Sequence, residues 1–410
     1  MLTNLEPSEA LSLVLEAGQA LDPELVALRQ AQGRVLASDL VALVDHPSLD
    51  VSAIDGYALR QADVLGASPE LPRRLPVVGE IPAGSPYPGS LPPGSALAIY
   101  TGGVFPEGAD GLIRVEETKR DGDYVAMVGP ASRQELRLKG EDFTAGERLL
   151  AAGTYLEARA LALAAAMGYA ELPVVRRPKV AVVITGDELT PPGQVLPPGA
   201  VYDSNAPMLE ALVRSAGAEP DVFHLADEPN GLRGVLASGD YDLWISSGGV
   251  SMGARDYVRA FLEAHGEPVF FRVRMRPGGP LFFARWQDCP FLGLPGNPVS
   301  AYTTFLLFAR PLLFKLLARR GPAYMELPAR ADSDLSNATD KWIYLRGEMY
   351  YRDEQLYFTP LKSQSSGDLA ALALANALAV VPPLGLQAGE WVRIIPLTED
   401  PNFAFEAGRI

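Results

Sequence analysis

Between Ser246 and Asp256 the chain reads Ser-Ser-Gly-Gly-Val-Ser-Met-Gly-Ala-Arg-Asp. Gly248, Gly249 and Gly253 let backbone N–H groups approach an oxyanion, while Ser247 and Ser251 add hydroxyl donors. A helix opening after Asp256 would favour negative charge at its N-terminus. Together these residue types suit phosphate binding. The plainer alternative is a Gly-rich connection between a strand and a helix, and the serine density and terminal Asp256 argue against it. No Gly-Lys-Ser/Thr follows, so this is not a Walker A loop, and the spacing is not G-x-G-x-x-G.

Two further loops and one strand carry chemistry. Thr185-Gly186-Asp187-Glu188-Leu189 places two acids directly after an apolar run. Leu294-Pro295-Gly296-Asn297-Pro298 has a backbone fixed by its prolines, with Gly and Asn tolerating left-handed angles; alone it fits a structural turn or a binding loop. Arg272, Arg274 and Arg276 alternate with Val273 and Met275, so at strand period two all three share a face. That face is either a solvated sheet edge or an anion-binding rim, and the Pro277-Gly278-Gly279-Pro280 turn that follows favours the rim. Carboxylates beside a phosphate become compatible with it once a divalent cation is added. Magnesium binds through one or two carboxylates plus substrate phosphates. Asp187, Glu188 and Asp256 are therefore candidate Mg²⁺ ligands or acid/base groups; the plain reading of any single one is a capping or solvated carboxylate.

These loops need a frame to hold them. From Lys179 the pattern alternates: strand Val180–Ile184, helix Ala206–Ala216, strand Asp221–Leu225, helix Leu232–Ala237, strand Leu243–Ser246, helix Tyr257–His265 and strand Val269–Met275. Leu281–Ala284 and Phe291–Leu294 add strands, and a long helix starts at Val299. Alternation of this kind predicts a mostly parallel sheet with right-handed crossovers, whose ligands sit at the strands' carboxyl ends. Upstream, Ser8 and Pro23 are read as opening helices, and Glu157–Met167 as another. Short β-like runs at Leu75–Val78, Ala96–Tyr100, Leu112–Val115 and Tyr124–Val128 suggest a small all-β insert. Beyond Pro322 the pattern is β again, with Trp342–Tyr351 and Gln355–Pro360 around an Arg352–Glu354 turn. The expected organisation is multidomain α/β plus β. A discontinuous helical linker domain covers 1–46 and 140–176, and the inserted β domain covers 47–139. The central α/β domain covers 177–321, and a C-terminal β-barrel-like domain covers 322–410.

Composition narrows the function classes. The 410 residues are 48% hydrophobic and 21% charged, as in ordinary soluble domains. The single cysteine, Cys289, excludes an internal disulfide, a Cys-rich zinc site and a cysteine-ligated iron–sulfur cluster. His46, His224 and His265 show no metal-ligand spacing. A net charge of −15 disfavours nucleic acid and anionic membranes, so an anionic substrate must be captured by local geometry. No signal-peptide pattern opens the chain, and Tyr302–Ala318 is interrupted by Arg310, Pro311 and Lys315, which makes it a poor membrane span. The expected location is the cytoplasm.

Read in order, five motifs resemble the molybdopterin molybdenumtransferase family, MoeA and the E domain of gephyrin. Ser52-Ala53-Ile54-Asp55-Gly56-Tyr57-Ala58 is similar to its S-A-x-D-G-Y-A signature, and Tyr100-Thr101-Gly102-Gly103 with Pro106, Gly108, Ala109 and Asp110 to its T-G-A…P-x-G-A-D segment. Thr185–Leu189, Ser247–Asp256 and Leu294–Pro298 are similar to T-G-D-E-L, S-G-G-V-S-x-G-x-x-D and L-P-G-N-P. The resemblance covers nearly the whole chain and implies a central MogA-like domain. It also implies the last step of molybdenum cofactor assembly: molybdenum from molybdate enters adenylylated molybdopterin, and AMP leaves by Mg²⁺-assisted hydrolysis. The metal's sulfur ligands would come from the substrate.

Carried over by position, Glu188, Asp227 and Asp256 would serve the Mg²⁺-dependent and molybdate-handling chemistry. Arg272 and Arg276, where the family tends to have lysines, would bind phosphate or oxyanion, and Pro295 and Pro298 would shape the pocket wall. Asp55, Thr101 and Asp142 lie outside the α/β domain; the resemblance implies a homodimer that brings such loops onto the partner's pocket. Arg346 and Ser366 match C-terminal positions facing the same cleft. Transient contact with the adenylyltransferase and other cofactor-biosynthesis proteins is also implied. The sequence departs from the pattern where P-G-K-P becomes Pro277-Gly278-Gly279-Pro280, removing a cation beside the anion site, and where T-G-A becomes Thr101-Gly102-Gly103. Rival readings are the adenylyltransferase itself, which needs neither flanking region, and a non-catalytic scaffold, which would not need Glu188, Asp227 and Asp256. A dehydrogenase lacks its dinucleotide fingerprint here.

Overall fold

The structure, a computed structural model, describes residues 1–226, 231–250 and 256–397. Its centre is a seven-stranded sheet. In chain order the strands and helices around it are β1 (Leu2–Leu5), α1 (Pro7–Glu16), β2 (Lys179–Thr185), α2 (Asn205–Ser215), β3 (Glu219–Leu225), α3 (Gly231–Leu236), β4 (Leu243–Ser247), α4 (Tyr257–His265), β5 (Glu267–Val273), β6 (Phe282–Trp286), β7 (Cys289–Leu294) and the helix α5 (Pro298–Leu316). The sheet order is β1-β5-β6-β7-β4-β2-β3. The β3, β2, β4 and β7 strands run parallel, as the βαβ pattern predicts, and β2 and β4 are buried almost throughout.

Two features depart from the alternating pattern. The β6 strand is antiparallel to both neighbours. Its partner β7 follows after only Gln287 and Asp288, both at positive φ (49° and 65°), which is the backbone of a tight hairpin and leaves no room for a crossover helix. The second departure is at the amino terminus. Strand β1 adds to the sheet edge beside β5, with Leu2 opposite Phe270, and α1 lies against α5. Pro7 opens α1, and the Glu9 carboxylate accepts from the Glu6 N–H. The first residues therefore pack on the α/β unit, away from the linker unit to which residues 1–46 were assigned from sequence.

Helix α5 is long and apolar enough to cross a membrane by length and composition, yet 83% of its most apolar window is buried inside the protein. It is the core helix beneath the sheet, with Phe305, Phe308, Leu312 and Leu313 in the main cluster. Residues 305–309 form a π-helical turn just before Pro311, which cannot donate the usual backbone bond.

The linker unit is less helical than its alanine content suggests. Pro23–Ala27, read from sequence as the start of a helix, is a strand antiparallel to Glu171–Val175. Its one long helix, Ala158–Ala166, packs into a core of Leu36, Leu40, Phe143, Met167 and Val174. The insert is a six-stranded sheet containing Gly56–Leu59, Arg73–Ile81, Ala96–Ile99, Gly111–Arg114, Thr118–Asp121 and Tyr124–Met127. At the other end Leu327–Ala331, Trp342–Arg352, Gln355–Pro360, Ala377–Val381 and Trp391–Pro396 close into a five-stranded barrel, because Trp342–Arg352 pairs with both Gln355–Pro360 and Ala377–Val381. Asp353 and Glu354, at φ 49° and 62°, make its tight turn.

The chain passes from sheet to barrel at the arginine triplet. After β5 ends, Met275–Arg276 leaves the central sheet and pairs with Trp342–Ile343 of the barrel. Arg272 sits at φ +73°, and the expected regular strand through Met275 is interrupted at Arg274, where the chain changes sheets. Arg274 bridges Glu6 (3.0 Å) and Asp340 (3.2 Å), joining the amino terminus to the barrel.

Candidate active site

The carboxyl ends of β2, β4 and β7 open onto a cleft of about 670 Å³. Three loops meet there, one after each strand. From the first come Thr185, Gly186 and Glu188; from the second Ser247, Gly248, Gly249 and, across the loop, Asp256; from the third Pro295, Gly296, Asn297 and Pro298. Pro280 enters from the turn below, and Gly367 and Leu369 from the barrel side. The fold thus gathers Glu188, Asp256, Ser247, Gly248, Gly249, Pro295 and Pro298 into one cavity, as the position of ligands on open α/β sheets requires.

The approach of the first two loops depends on glycine. Gly248 has φ +92°, and a Cβ there would lie 2.8 Å from the Thr185 carbonyl oxygen. Its N–H donates to the Leu294 carbonyl at 3.2 Å, so this glycine supplies close approach and not the expected anion donor. Ser247, by contrast, is buried and lines the cleft.

Two residues that sequence reading passed over complete the floor. Asp203 is buried, and its Oδ1 accepts from the Asn205 and Ala206 amides (both 3.0 Å), capping α2, while Oδ2 meets His224 Nε2 at 2.9 Å. Asn205 donates through Nδ2 to Ser247 Oγ (2.8 Å) and to the Gly296 carbonyl (2.7 Å). The Asp-Ser-Asn run just before an apolar-periodic helix is a capping signal and was the available clue.

Other expected site residues stand apart from the cleft lining. Asp187 is exposed one residue before Glu188 and does not line it. Arg272 lies 5.3 Å from the Phe271 ring centroid and Arg276 is exposed, and neither lines it. The arginine rim expected from period two does not face this cavity. Arg346 is fully buried in the barrel, donating to the Ser363 (3.1 Å) and Ser365 (3.0 Å) carbonyls, with Nε and Nη1 unpartnered. Burial lowers its pKa, and nearby Asp368 opposes that shift. Ser366 is held at the third loop, its hydroxyl accepting from Asn297 Nδ2 at 3.0 Å and its carbonyl from the Val299 N–H at 3.2 Å. Asp142 pairs with Arg137 and lies 3.6 Å from His46. Asp55 and Thr101 bond to each other on the insert. Asp227, Ser251 and Gly253 lie outside the described residues.

The charge of the cleft is one-sided. Glu188, Asp203 and Asp256 line it, and no lysine or arginine does among the described residues. Nor do the described residues contain a cluster of three or more His, Cys, Asp or Glu able to hold a metal alone. With Asp203 committed to the α2 amides and His224, the other two carboxylates, Glu188 and Asp256, fit a magnesium ion that takes its remaining oxygens from phosphate and water.

Family comparisons decide what kind of cleft this is. Residues 5–168 match the MoeA N-terminal region (domain I and II), residues 181–315 a probable molybdopterin binding domain, and residues 328–397 the MoeA C-terminal region (domain IV). The chain belongs to the molybdopterin molybdenumtransferase family. A molybdopterin molybdenumtransferase from a Nostoc species is 40% identical over 383 residues, covering 90% of this chain and 87% of the relative. Molybdopterin molybdenumtransferase 2 of Mycobacterium tuberculosis is 38% identical over 401 residues, covering 94% and 98%. A crystal structure of the molybdopterin biosynthesis MoeA protein from Pyrococcus horikoshii superposes with a TM-score of 0.82 at 29% identity, covering 97% of this chain and all of that one. Membership in this transferase family matches the resemblance carried by the five motifs, and the multidomain α/β-plus-β architecture is the family's own.

Proposed function

We propose that this molybdenumtransferase takes adenylylated molybdopterin and molybdate as substrates, places molybdenum on the pterin dithiolate, and releases AMP by hydrolysis of the phosphoanhydride. One observation carries the reading: a cleft at the strands' carboxyl ends combines a Ser/Gly loop with the Glu188 and Asp256 carboxylates and no lining cation among the described residues. Such a site suits a phosphate-bearing ligand only when positive charge arrives with it or from a neighbour.

Magnesium, held by Glu188 and Asp256 together with substrate phosphate oxygens, would neutralise charge at the phosphoanhydride; Asp187 stands next in line as a ligand. Ser247 donates to a phosphate oxygen. Glu188, exposed on its loop, is placed to accept a proton from the attacking water. Pro295 and Pro298 fix the wall against which the substrate lies. Arg346, with two unpartnered nitrogens, is the cation for an oxyanion next to Ser366. Arg272 and Arg276 serve at the periphery as phosphate or oxyanion ligands, and Asp227 joins Glu188 and Asp256 in the Mg²⁺-dependent and molybdate-handling chemistry. Cys289 donates to the Tyr241 carbonyl at 3.1 Å and does not line the cleft, which fits sulfur ligation by the substrate alone.

In the proposed assembly two copies pair, and Asp55, Thr101 and Asp142 of one enter the cleft of the other. Support comes from their placement on exposed loops of the insert and linker, away from the cleft of their own chain. The adenylyltransferase is the proposed donor of substrate, in the cytoplasm, with neither nucleic acid nor membrane involved. The test is direct. Protein given adenylylated molybdopterin and Mg²⁺ releases AMP only when molybdate is added; AMP release indifferent to molybdate, or none, sinks the proposal.

A further inference from the structure

Asn205 lies at the start of α2, with a side chain that ties the second loop to the third. Its amide oxygen and nitrogen are told apart by their partners: the Gly296 carbonyl can only accept, so the group 2.7 Å from it is the NH₂. The same NH₂ lies 2.8 Å from Ser247 Oγ. Both amide hydrogens are therefore committed, one to each partner, and the serine oxygen acts as acceptor in that contact.

This has a chemical effect on the cleft. A serine hydroxyl has one hydrogen and two lone pairs. With a lone pair occupied by Asn205, the hydrogen of Ser247 is left for whatever lies in the cavity, where a phosphate or other oxyanion accepts it. An acceptor in place of Nδ2 would draw that hydrogen away and turn lone pairs toward the anion. Both Asn205 (9% exposed) and Ser247 (2% exposed) are buried, so bulk water does not readily exchange for either partner.

We infer that Asn205 is a positioning residue that fixes Ser247 as a hydrogen-bond donor to the anionic oxygens of the bound molecule. The inference rests on the anion-binding reading of this cleft but needs neither the pterin nor molybdate to be correct.

Inorganic pyrophosphate in Mg²⁺ buffer is the probe, with affinity measured calorimetrically for the full chain. Ser247→Ala weakens binding roughly tenfold to a hundredfold, as loss of a charge-assisted bond does. Asn205→Leu weakens it several-fold in the parent but by less than twofold in the Ser247→Ala background, because the effect travels through the serine. Equal losses in both backgrounds overturn the inference, since a purely structural role would not depend on Ser247. Should Asn205→Leu fail to fold, Asn205→Ala is read in the same two backgrounds; equal losses there also overturn the inference, as does a parent protein that binds no pyrophosphate. Molybdate-dependent AMP release tests the proposed reaction separately, so that reading can fail while this one stands.

Discussion

Asp55 Oδ1 accepts two hydrogen bonds from Thr101, one from its amide at 2.8 Å and one from its hydroxyl at 2.9 Å. The two residues come from different motifs, and the insert's sheet brings them together by pairing Gly56–Leu59 antiparallel with Ala96–Ile99. The Thr101 amide, and then its hydroxyl, hold the Asp55 carboxyl below its ordinary 3.8. The pair's contribution is therefore complete above that value and is lost as pH falls through the lowered one.

If this pair works on a partner's cleft, two dead chains should repair each other. Chains carrying Asp55→Ala and Glu188→Ala are each inactive alone. Random mixing after co-expression should restore activity to about a quarter of the intact sites, one per mixed dimer. Mixed preparations as inactive as either parent would show that both residues serve a single chain's site.

Glu188→Ala should lower AMP release by roughly a hundredfold or more, in the range expected for loss of a general base or metal ligand. Its melting temperature should not move, because an exposed loop carboxylate contributes nothing to the core. Turnover like the parent's would take Glu188 out of the mechanism.

Gly248→Ala puts a methyl against the Thr185 carbonyl and forces a non-glycine residue to φ +92°. The backbone term alone costs about 1–2 kcal/mol. Activity should fall further than stability does, since the displaced group is cleft wall. Thermal unfolding measured beside turnover distinguishes the two; unchanged turnover would contradict the requirement for close approach.

Arg346→Met retains the bulk but leaves the Ser363 and Ser365 carbonyls without their donor. A lower melting temperature is expected, together with a raised KM for molybdate. A changed melting temperature with unaltered molybdate dependence would make this arginine purely structural.

Burial, with a smaller push from Asp242, moves the Cys289 thiol from 9.0 up to about 12. The neutral thiol is thus favoured in the folded state. Its contribution to stability is full below pH 9 and declines as pH rises toward about 12. At pH 8 iodoacetamide should label folded protein far more slowly than protein in urea; equal rates would refute this.

The frame was readable because its signals are local. Apolar runs such as Val180–Ile184 and the alanine-rich Ala158–Ala166 announce their period within one element, and the three cleft loops follow from strand ends. Position in space was not local. Nothing near Pro23 reveals that Glu171–Val175 will pair with it, and nothing in Arg272 to Arg276 reveals that the chain changes sheets there. Asp203 and Asn205 were missed for a similar reason: their roles lie in contacts with His224, Ser247 and Gly296, which only the folded chain supplies.

Strand β1 has a consequence for the protein's synthesis. Leu2–Leu5 leave the ribosome well before β5, the strand they pair with, whose last residue is Val273. At about 5–20 residues per second, their partner appears on the order of tens of seconds later. During that interval Leu2, Leu5 and the apolar face of α1 have no mate, while the insert and linker can already be complete. Nascent chains of this protein should therefore depend on a holding chaperone over β1 and α1, and an isolated α/β segment that starts at Lys179 would begin life with an uncovered sheet edge.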